Sequence, residues 1–308
     1  MKNKKLIGLF GFGNIGEQHL RTFIDLQKEY PIEVLGIARA TEKPLSTELR
    51  ALVGDIPIYT GSSTYLLDNS NLVCIASPDD THWEYAAQAL CAGIPTWVEK
   101  PLVLEEGQGK ELVSLARQGN ISFGTLTQMS MHRPDLDGLV FQVSQTSTIF
   151  RMGIVYMLPT KPPRANPPVI QNILPHPLSI IPDLSDRKVE DVKLNEGEVR
   201  VELTGEDFPI SIDIGYVPKE EARRKIILYT NSGKVERTFR TSFTKEEGYT
   251  ETWISRRPNP RRDLWRRIFE DLFAQDISEK RQACFEQREG GYQRTLQENE
   301  LLMQAMEI

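Results

Sequence analysis

Gly11, Gly13 and Gly16 stand in the spacing G-x-G-x-x-G within LFGFGNIGEQH, directly after an apolar run and directly before a helical pattern. At that spacing the first glycine allows a tight turn, the second lets a pyrophosphate approach the main chain, and the third lets helix and strand pack closely. Phosphate then sits on free N–H groups at a helix start, where the dipole favours negative charge, in a cradle that includes Asn14 and Ile15. Glycine triplets also serve plain turns. Here strand, glycines, helix and second strand fall in order, so the reading is a dinucleotide site. The second strand ends in Arg39, within GIARATEK, where an acid would hold the ribose 2′-hydroxyl of NAD. A guanidinium there suits the 2′-phosphate of NADP, with Thr41 and Lys43 as helpers, so NADP is expected in preference to NAD. The alternative is an exposed loop arginine.

A second chemical candidate is Lys100 in WVEKPL, at the end of an apolar run and just before a proline. In a doubly wound sheet, ligands bind beyond the carboxyl ends of the strands, which is where this lysine would emerge. An ammonium at a substrate oxygen polarises it and stabilises the alkoxide-like charge of hydride transfer. The alternative is a strand end with a surface charge pair. A general acid or base is most often histidine, and the chain has four: His19, His82, His132 and His176. His19 and His82 are expected to cap or pack, and His132 to lie on the surface.

From Lys5 to about Gly124, short apolar runs alternate with longer amphipathic ones, the pattern of a parallel sheet wound by helices. The runs are Leu6 to Phe10, Glu33 to Ala38, Asn71 to Ala76, Thr96 to Val98 and Ile121 to Phe123, with helices at His82 to Ala92 and Glu105 to Arg117. After Gly124 the alternation has period two, as in EVRVEL and ISIDIGY, and RKIILYTNSGKVERTF reads as a hairpin turning at Asn231 to Gly233. The proline-rich MLPTKPPRANPPVIQN must be loop. The tail carries an apolar stripe, Leu264, Trp265, Ile268, Phe269, Leu272 and Phe273, which predicts core or a subunit contact, and a further helix begins near Tyr292. The predicted fold is α/β: a Rossmann domain over residues 1–125, then an α+β domain over residues 126–308 with a large, mostly antiparallel sheet and C-terminal helices.

With 308 residues, the chain is long enough for two ordinary domains. Its net charge of -6 offers nothing to attract nucleic acid or an anionic membrane, and no segment reads as a membrane span. Cys74, Cys91 and Cys284 lack disulfide or zinc spacing, and the first two lie in apolar runs, as reduced core thiols of a cytoplasmic protein would. No metal is expected. SRRPNPRRDLWRR holds Arg256, Arg257, Arg261, Arg262, Arg266 and Arg267, expected as solvated surface partly paired with acids, the alternative being a receptor for a substrate phosphate.

SPDDTHWEYAAQALCAGIPTWVEKPL, together with GFGNIGEQH, resembles the glucose-fructose oxidoreductase, inositol dehydrogenase and MocA family of nicotinamide-dependent sugar oxidoreductases. The matching residues are His19, the Ser77-Pro78 pair followed by His82, the Ala92-Gly93 turn and the Glu99-Lys100-Pro101 triplet. The resemblance implies that Ser77, Pro78, His82 and Glu99 serve the cofactor side, that Glu99 orients Lys100 or the cofactor, and that the Lys100–Pro101 bond is cis. VIQNILPHPLSII resembles the family's D-x-G-x-H-x-x-D segment, with Asn172, Leu174, His176 and Ser179 at its four named places; only the histidine survives. His176 is the candidate acid/base and Asn172 a substrate contact, the alternative being a structural histidine in a repurposed pocket. Asparagine can hydrogen-bond an imidazolium but cannot balance its charge.

The expectation is reversible hydride transfer between nicotinamide and a carbinol or carbonyl of a small-molecule sugar, cyclitol or nucleotide-sugar, by a homodimer or homotetramer. Two alternatives stay open: a reductase of an imine or pigment, and a nucleotide-binding sensor or subunit without chemistry.

Overall fold

The computed structural model describes residues 4–42, 44–61, 63–159, 169–195, 198–218, 221–238, 259–274 and 281–308. Lys43, Arg256, Arg257, the proline-rich stretch 160–168 and the side chain of Cys284 lie outside the described residues. The chain divides into two units: residues 1–126 with 261–299, and residues 127–260 with 300–308.

In the first unit, six strands form one parallel sheet. They are β1 (Lys5–Phe10), β2 (Ile32–Arg39), β3 (Ile58–Thr60), β4 (Leu72–Ile75), β5 (Thr96–Glu99) and β6 (Phe123–Leu126), in the order β3-β2-β1-β4-β5-β6. The helices between them are α1 (Asn14–Leu26), α2 (Thr47–Val53), α3 (Thr64–Asn69), α4 (His82–Cys91) and α5 (Glu106–Gly119). Strands covered on both faces must be apolar throughout, and all four residues of β4 are buried. The strand order reverses between β1 and β4, which opens a crevice at their carboxyl ends. β3 was not legible as a strand: its three residues sit at the sheet edge, two of them exposed. Cys74 is buried on β4, but Cys91, at the end of α4, is exposed, contrary to the expectation of a core thiol. Its place on the helix's outer face, not the apolar run around it, sets its exposure.

The tail returns to this unit. α9 (Pro260–Ala274) lays its stripe on α1, where the Phe23 and Trp265 rings meet edge-on at 4.6 Å between centroids and Phe269 lies 6.2 Å from Phe23. Phe23, Trp265 and Phe269 are fully buried, and burying a side chain of this size contributes about 1.5–3 kcal/mol. α10 (Arg281–Glu307) begins well before the expected start near Tyr292, because the helix runs through Gly290 and Gly291. Glycine pairs weaken a helix without forbidding it.

The second unit begins with a 3₁₀ turn and α6 (Arg133–Ser144), followed by β7 (Ile149–Pro159), α7 (Val169–Ile173), α8 (Pro175–Ile180), β8 (Lys188–Asn195), β9 (Glu198–Thr204), β10 (Ile210–Val217), β11 (Arg224–Thr230) and β12 (Gly233–Thr238). Its sheet runs β12-β11-β7-β10-β9-β8, antiparallel except where β10 lies beside β7. The period-two alternation lands as expected: Val199, Val201, Leu203, Ile210, Ile212 and Ile214 join one core with α6, α7, α8 and the last turns of α10. Between these apolar positions stand charge pairs, Arg200 with Asp213 directly across the ladder at 2.5 Å and Lys225 with Glu236 at 2.6 Å. The hairpin turns at Asn231 and Ser232. His132 is only 2% exposed, contrary to the expected surface position; it ends the 3₁₀ turn packed under α6, with Asp135 at 3.7 Å. No described helix is long and apolar enough to cross a membrane.

Candidate functional site

Each of the three glycines meets a different physical demand. Gly11 adopts φ +95°, and a Cβ on it would lie 2.4 Å from the main chain of Ala76 and Ser77. That close approach locks the loop after β1 against the end of β4, where Ala76 N–H donates to Phe10 O at 2.7 Å. A Cβ on Gly16 would lie 2.3 Å from the carbonyl oxygen of Gly11, so the first turn of α1 can seat only a glycine there. Around Gly13 nothing lies within 4 Å of such a Cβ. Gly13 is the N-cap of α1 with no side chain capping the helix, and Gly13, Asn14 and Ile15 are exposed. Two tight glycines thus hold an open, uncapped helix start, which fits the phosphates of a dinucleotide. Arg39 ends β2, the neighbour of β1, and is half-buried.

The loop after β4 holds Ser77 and Pro78. Ser77 Oγ accepts from Thr81 Oγ1 at 2.7 Å. His82 is completely buried, with Nδ1 2.7 Å from the carbonyl oxygen of Pro101 and Nε2 3.0 Å from that of Ser77. Both neighbours accept, so a ring with one N–H donates to one of them and packs against the other, filling the space between the loop after β4 and the loop after β5 beside the cis Lys100–Pro101 bond. His82 packs, as expected for a histidine of this motif.

β5 ends in Glu99, and Lys100 follows at the carboxyl edge of the sheet. One carboxylate oxygen of Glu99 lies 2.8 Å from His19 Nε2, and the other accepts the Lys100 main-chain N–H at 3.2 Å. His19, 1% exposed, takes a hydrogen bond on Nδ1 from the indole Nε1–H of Trp265 at 2.9 Å. Indole only donates, so Nδ1 must accept and the remaining ring proton sits on Nε2, facing Glu99. The His19–Glu99 contact is thus a hydrogen bond between a neutral ring and a carboxylate, although its length suits an ion pair. Burial pushes the Glu99 carboxyl up; the His19 hydrogen bond foremost, with the charges of Lys100 and Arg261 behind it, pulls it down, and it lies below the ordinary value. Burial lowers the Arg261 guanidinium, with Glu99 opposing, and pushes the Cys74 thiol well up.

Within the cationic run, Arg262 pairs with Asp25 at 2.6 Å and Arg266 with Glu29 at 2.8 Å, as expected of surface arginines. Arg261 is different: it donates to Gln18 and its charge reaches Glu99. Neither Arg261 nor Trp265 was identifiable as a site residue in the sequence. An arginine among arginines and a tryptophan in an apolar stripe both carry the signature of ordinary helix surface and core.

His176 and Asn172 stand in the second unit. His176 lies in the first turn of α8, and its ring stacks on Tyr156 of β7 at 5.5 Å and 21°. The Arg224 guanidinium lies 4.9 Å from the centre of the Tyr156 ring. Burial raises the Tyr156 phenol, with Arg224 opposing. Asn172 donates its side-chain N–H to the Tyr216 hydroxyl. Ser179 donates to the His176 carbonyl at 2.8 Å, a helix-internal role in place of an acid's. Among the described residues no group of three or more His, Cys, Asp and Glu is placed to hold a metal ion.

Residues 5–124 match the profile of an oxidoreductase family with an NAD-binding Rossmann fold. An uncharacterized oxidoreductase of Schizosaccharomyces pombe is 37% identical over 76 residues, 24% of this chain, and the match spans only 21% of that relative. Among solved structures, the 3-ketoreductase KijD10 of Actinomadura kijaniata, in complex with NADP, superposes with TM-score 0.76 at 15% identity, covering 99% of this chain and 97% of that one. GenD2 from gentamicin A biosynthesis, in complex with NAD, gives 0.73 at 16%, covering 100% and 94%. A putative myo-inositol dehydrogenase of Sinorhizobium meliloti 1021 gives 0.69 at 14%, covering 98% of each. At these identities the likeness is one of fold.

Proposed function

We propose, from the place of residues 5–124 in the glucose-fructose oxidoreductase, inositol dehydrogenase and MocA family, that the chain is an NAD(P)-dependent oxidoreductase. Its substrate in this reading is a carbinol or carbonyl of a sugar, cyclitol or nucleotide-sugar. The observation that carries the reading is the Glu99 carboxylate held on both oxygens beside Lys100, at the carboxyl edge of a sheet whose first loop forms an open phosphate cradle.

In this reading Gly11, Gly13, Asn14, Ile15 and Gly16 receive the dinucleotide phosphates, and Arg39 receives a 2′-phosphate, which makes NADP the preferred cofactor and NAD the other. Ser77, Pro78 and His82 shape the adjoining wall. A bound nicotinamide supplies or takes the hydride. Lys100 Nζ stabilises the negative charge that develops on the substrate oxygen and gives it a proton in the reducing direction. Glu99 balances the lysine's charge and sets its main chain. In the second unit, His176 is the further proton carrier and Asn172 binds through Tyr216 instead of supplying a carboxylate. Other parts of the reading are a cytoplasmic location and a homodimer or homotetramer; the buried, unpaired thiol of Cys74 supports the first.

The bond from Asn172 to a phenol also favours a second reading, reduction of an imine or pigment at a site without the family's acids. NADPH oxidation against matched panels of keto-sugars and cyclic imines separates the two. Turnover of keto-sugars abolished by Lys100→Met is the expected result. NADPH binding without turnover of either panel, and little effect of Lys100→Ala beyond affinity, would instead mark a sensor.

A further inference from the structure

Helix α9 reaches the Lys100 site through a single line of hydrogen bonds. Trp265 Nε1–H donates to His19 Nδ1 at 2.9 Å, His19 Nε2–H donates to Glu99 at 2.8 Å, and Glu99 accepts the Lys100 N–H at 3.2 Å. The ends of this line come from opposite regions of the sequence, and its interior is buried: His19 is 1% exposed and Trp265 fully buried.

We propose that Trp265 is a positioning residue for Lys100: its indole N–H occupies His19 Nδ1, so the ring keeps a single proton, on Nε2, and holds the Glu99 carboxylate, fully charged, beside the lysine. The proposal rests on the functional reading of Lys100 given above. A second proton on His19 would have to go to Nδ1, where the indole N–H already points, so protonation displaces the Trp265 hydrogen bond. With that bond in place, Glu99 keeps its charge for Lys100 and the reacting centre instead of sharing it with an imidazolium. The other charged and titratable groups around the line are Lys100 after β5, Arg261 on α9 and the Cys74 thiol on β4. Glu99 accepts from Nε2 and the indole fills Nδ1, so both neighbours of the ring select the same tautomer, and the indole alone stands where a second proton would go.

A purely structural tryptophan would be explained by packing alone, since Trp265 also stacks with Phe23 and Phe269. Trp265→Phe keeps that packing and removes only the N–H. The first measurement is the ring-nitrogen NMR spectrum of the full-length, histidine-labelled protein, with the His19 signals assigned by their loss in His19→Gln. The expected wild-type spectrum shows a proton on Nε2 and a hydrogen-bonded, unprotonated Nδ1; in Trp265→Phe the Nδ1 signal should lose its hydrogen-bond shift and show the nitrogen protonated at the same pH. The second measurement is the pH profile of NADPH-dependent turnover. In Trp265→Phe it should gain an acid-side ionisation, with kcat down about tenfold and the KM for NADPH little changed. His19→Gln, whose amide can accept from the indole and donate to Glu99, should lose far less activity than His19→Ala.

A wild-type spectrum with the proton on Nδ1, or one that Trp265→Phe leaves unchanged, overturns the tautomer lock. An altered spectrum with an unaltered pH profile overturns the positioning role. Absence of turnover with any substrate counts against the functional reading, while the spectrum still decides the lock.

Discussion

The Nδ1 atom of His82 lies 2.7 Å from the carbonyl oxygen of Pro101, nineteen residues on, and its Nε2 lies 3.0 Å from the carbonyl oxygen of Ser77. One buried ring thereby fills the space between the loops that leave β4 and β5, the two that flank the candidate lysine. Replacing it by alanine removes the hydrogen bond and leaves a void. His82→Ala should cost about 2–4 kcal/mol of stability, the sum of a buried hydrogen bond and a cavity, measured by urea unfolding. His82→Phe refills the volume without the hydrogen bond and should recover only part of that. If the phenylalanine protein is as stable as wild type, the hydrogen bond contributes nothing.

The glycines separate folding from binding. Gly11→Ala forces a β-carbon to 2.4 Å from the main chain of Ala76 and Ser77 in a conformation with φ +95°, so it should destabilise the protein severely. Gly13→Ala meets nothing within 4 Å and should leave the melting temperature close to wild type. It should nevertheless weaken NADPH binding by about tenfold or more, roughly 1.4 kcal/mol, because the methyl group occupies the space a phosphate needs. Differential scanning fluorimetry and fluorescence titration measure the two effects. Unimpaired NADPH binding by a folded Gly13→Ala protein would refute the cradle.

The contrast between these positions and Trp265 shows what a sequence makes legible. Gly11, Gly13 and Gly16 lie within six consecutive residues, and their demands are local turn geometry, which residue type and spacing encode directly. Glu99 and Lys100 are adjacent, so the strand that ends at Glu99 already placed both. The parallel sheet follows from alternating apolar runs and right-handed crossovers, apart from the short edge strand β3, which no apolar run marks. Trp265 reaches His19 across 246 positions, and no periodicity carries that distance. A buried hydrogen-bonding indole and an inert core indole share one hydrophobic pattern. His132 and Cys91 failed for a related reason: exposure depends on which helix face meets a neighbour, and polarity or apolar flanks fix that poorly.

Glu99 makes stability depend on pH in a stated direction. Its folded-state carboxyl titrates below the ordinary 4.5, with the His19 hydrogen bond foremost, and Lys100 and Arg261 behind it, opposing burial. The unfolded chain therefore binds the proton more readily, so this contribution is complete above pH 4.5 and is lost as pH falls through the folded value. Glu99→Gln removes it. The stability gap between wild type and Glu99→Gln, from urea unfolding at a series of pH values, should be constant above pH 4.5 and narrow below it. A gap that stays constant through the acid range would show that the carboxylate is not held in its charged form.

In the proposed reading, the choice between the two cofactors turns on Arg39. It closes β2 at half-exposure, beside the strand that carries the glycine loop. Its guanidinium matches a 2′-phosphate and has no equivalent partner on a bare ribose, where the hydroxyls call for an acceptor. Arg39→Ser should therefore raise the KM for NADPH about 10–100-fold, as loss of charge-assisted hydrogen bonds of ~1.5–3 kcal/mol implies. The KM for NADH should move far less, so the ratio of the two kcat/KM values is the decisive measurement. High salt should erode the NADPH preference of the wild type in the same sense, because an exposed ion pair is screened. If Arg39→Ser lowers kcat/KM for both cofactors equally, the arginine supports the fold of the strand end and selects neither.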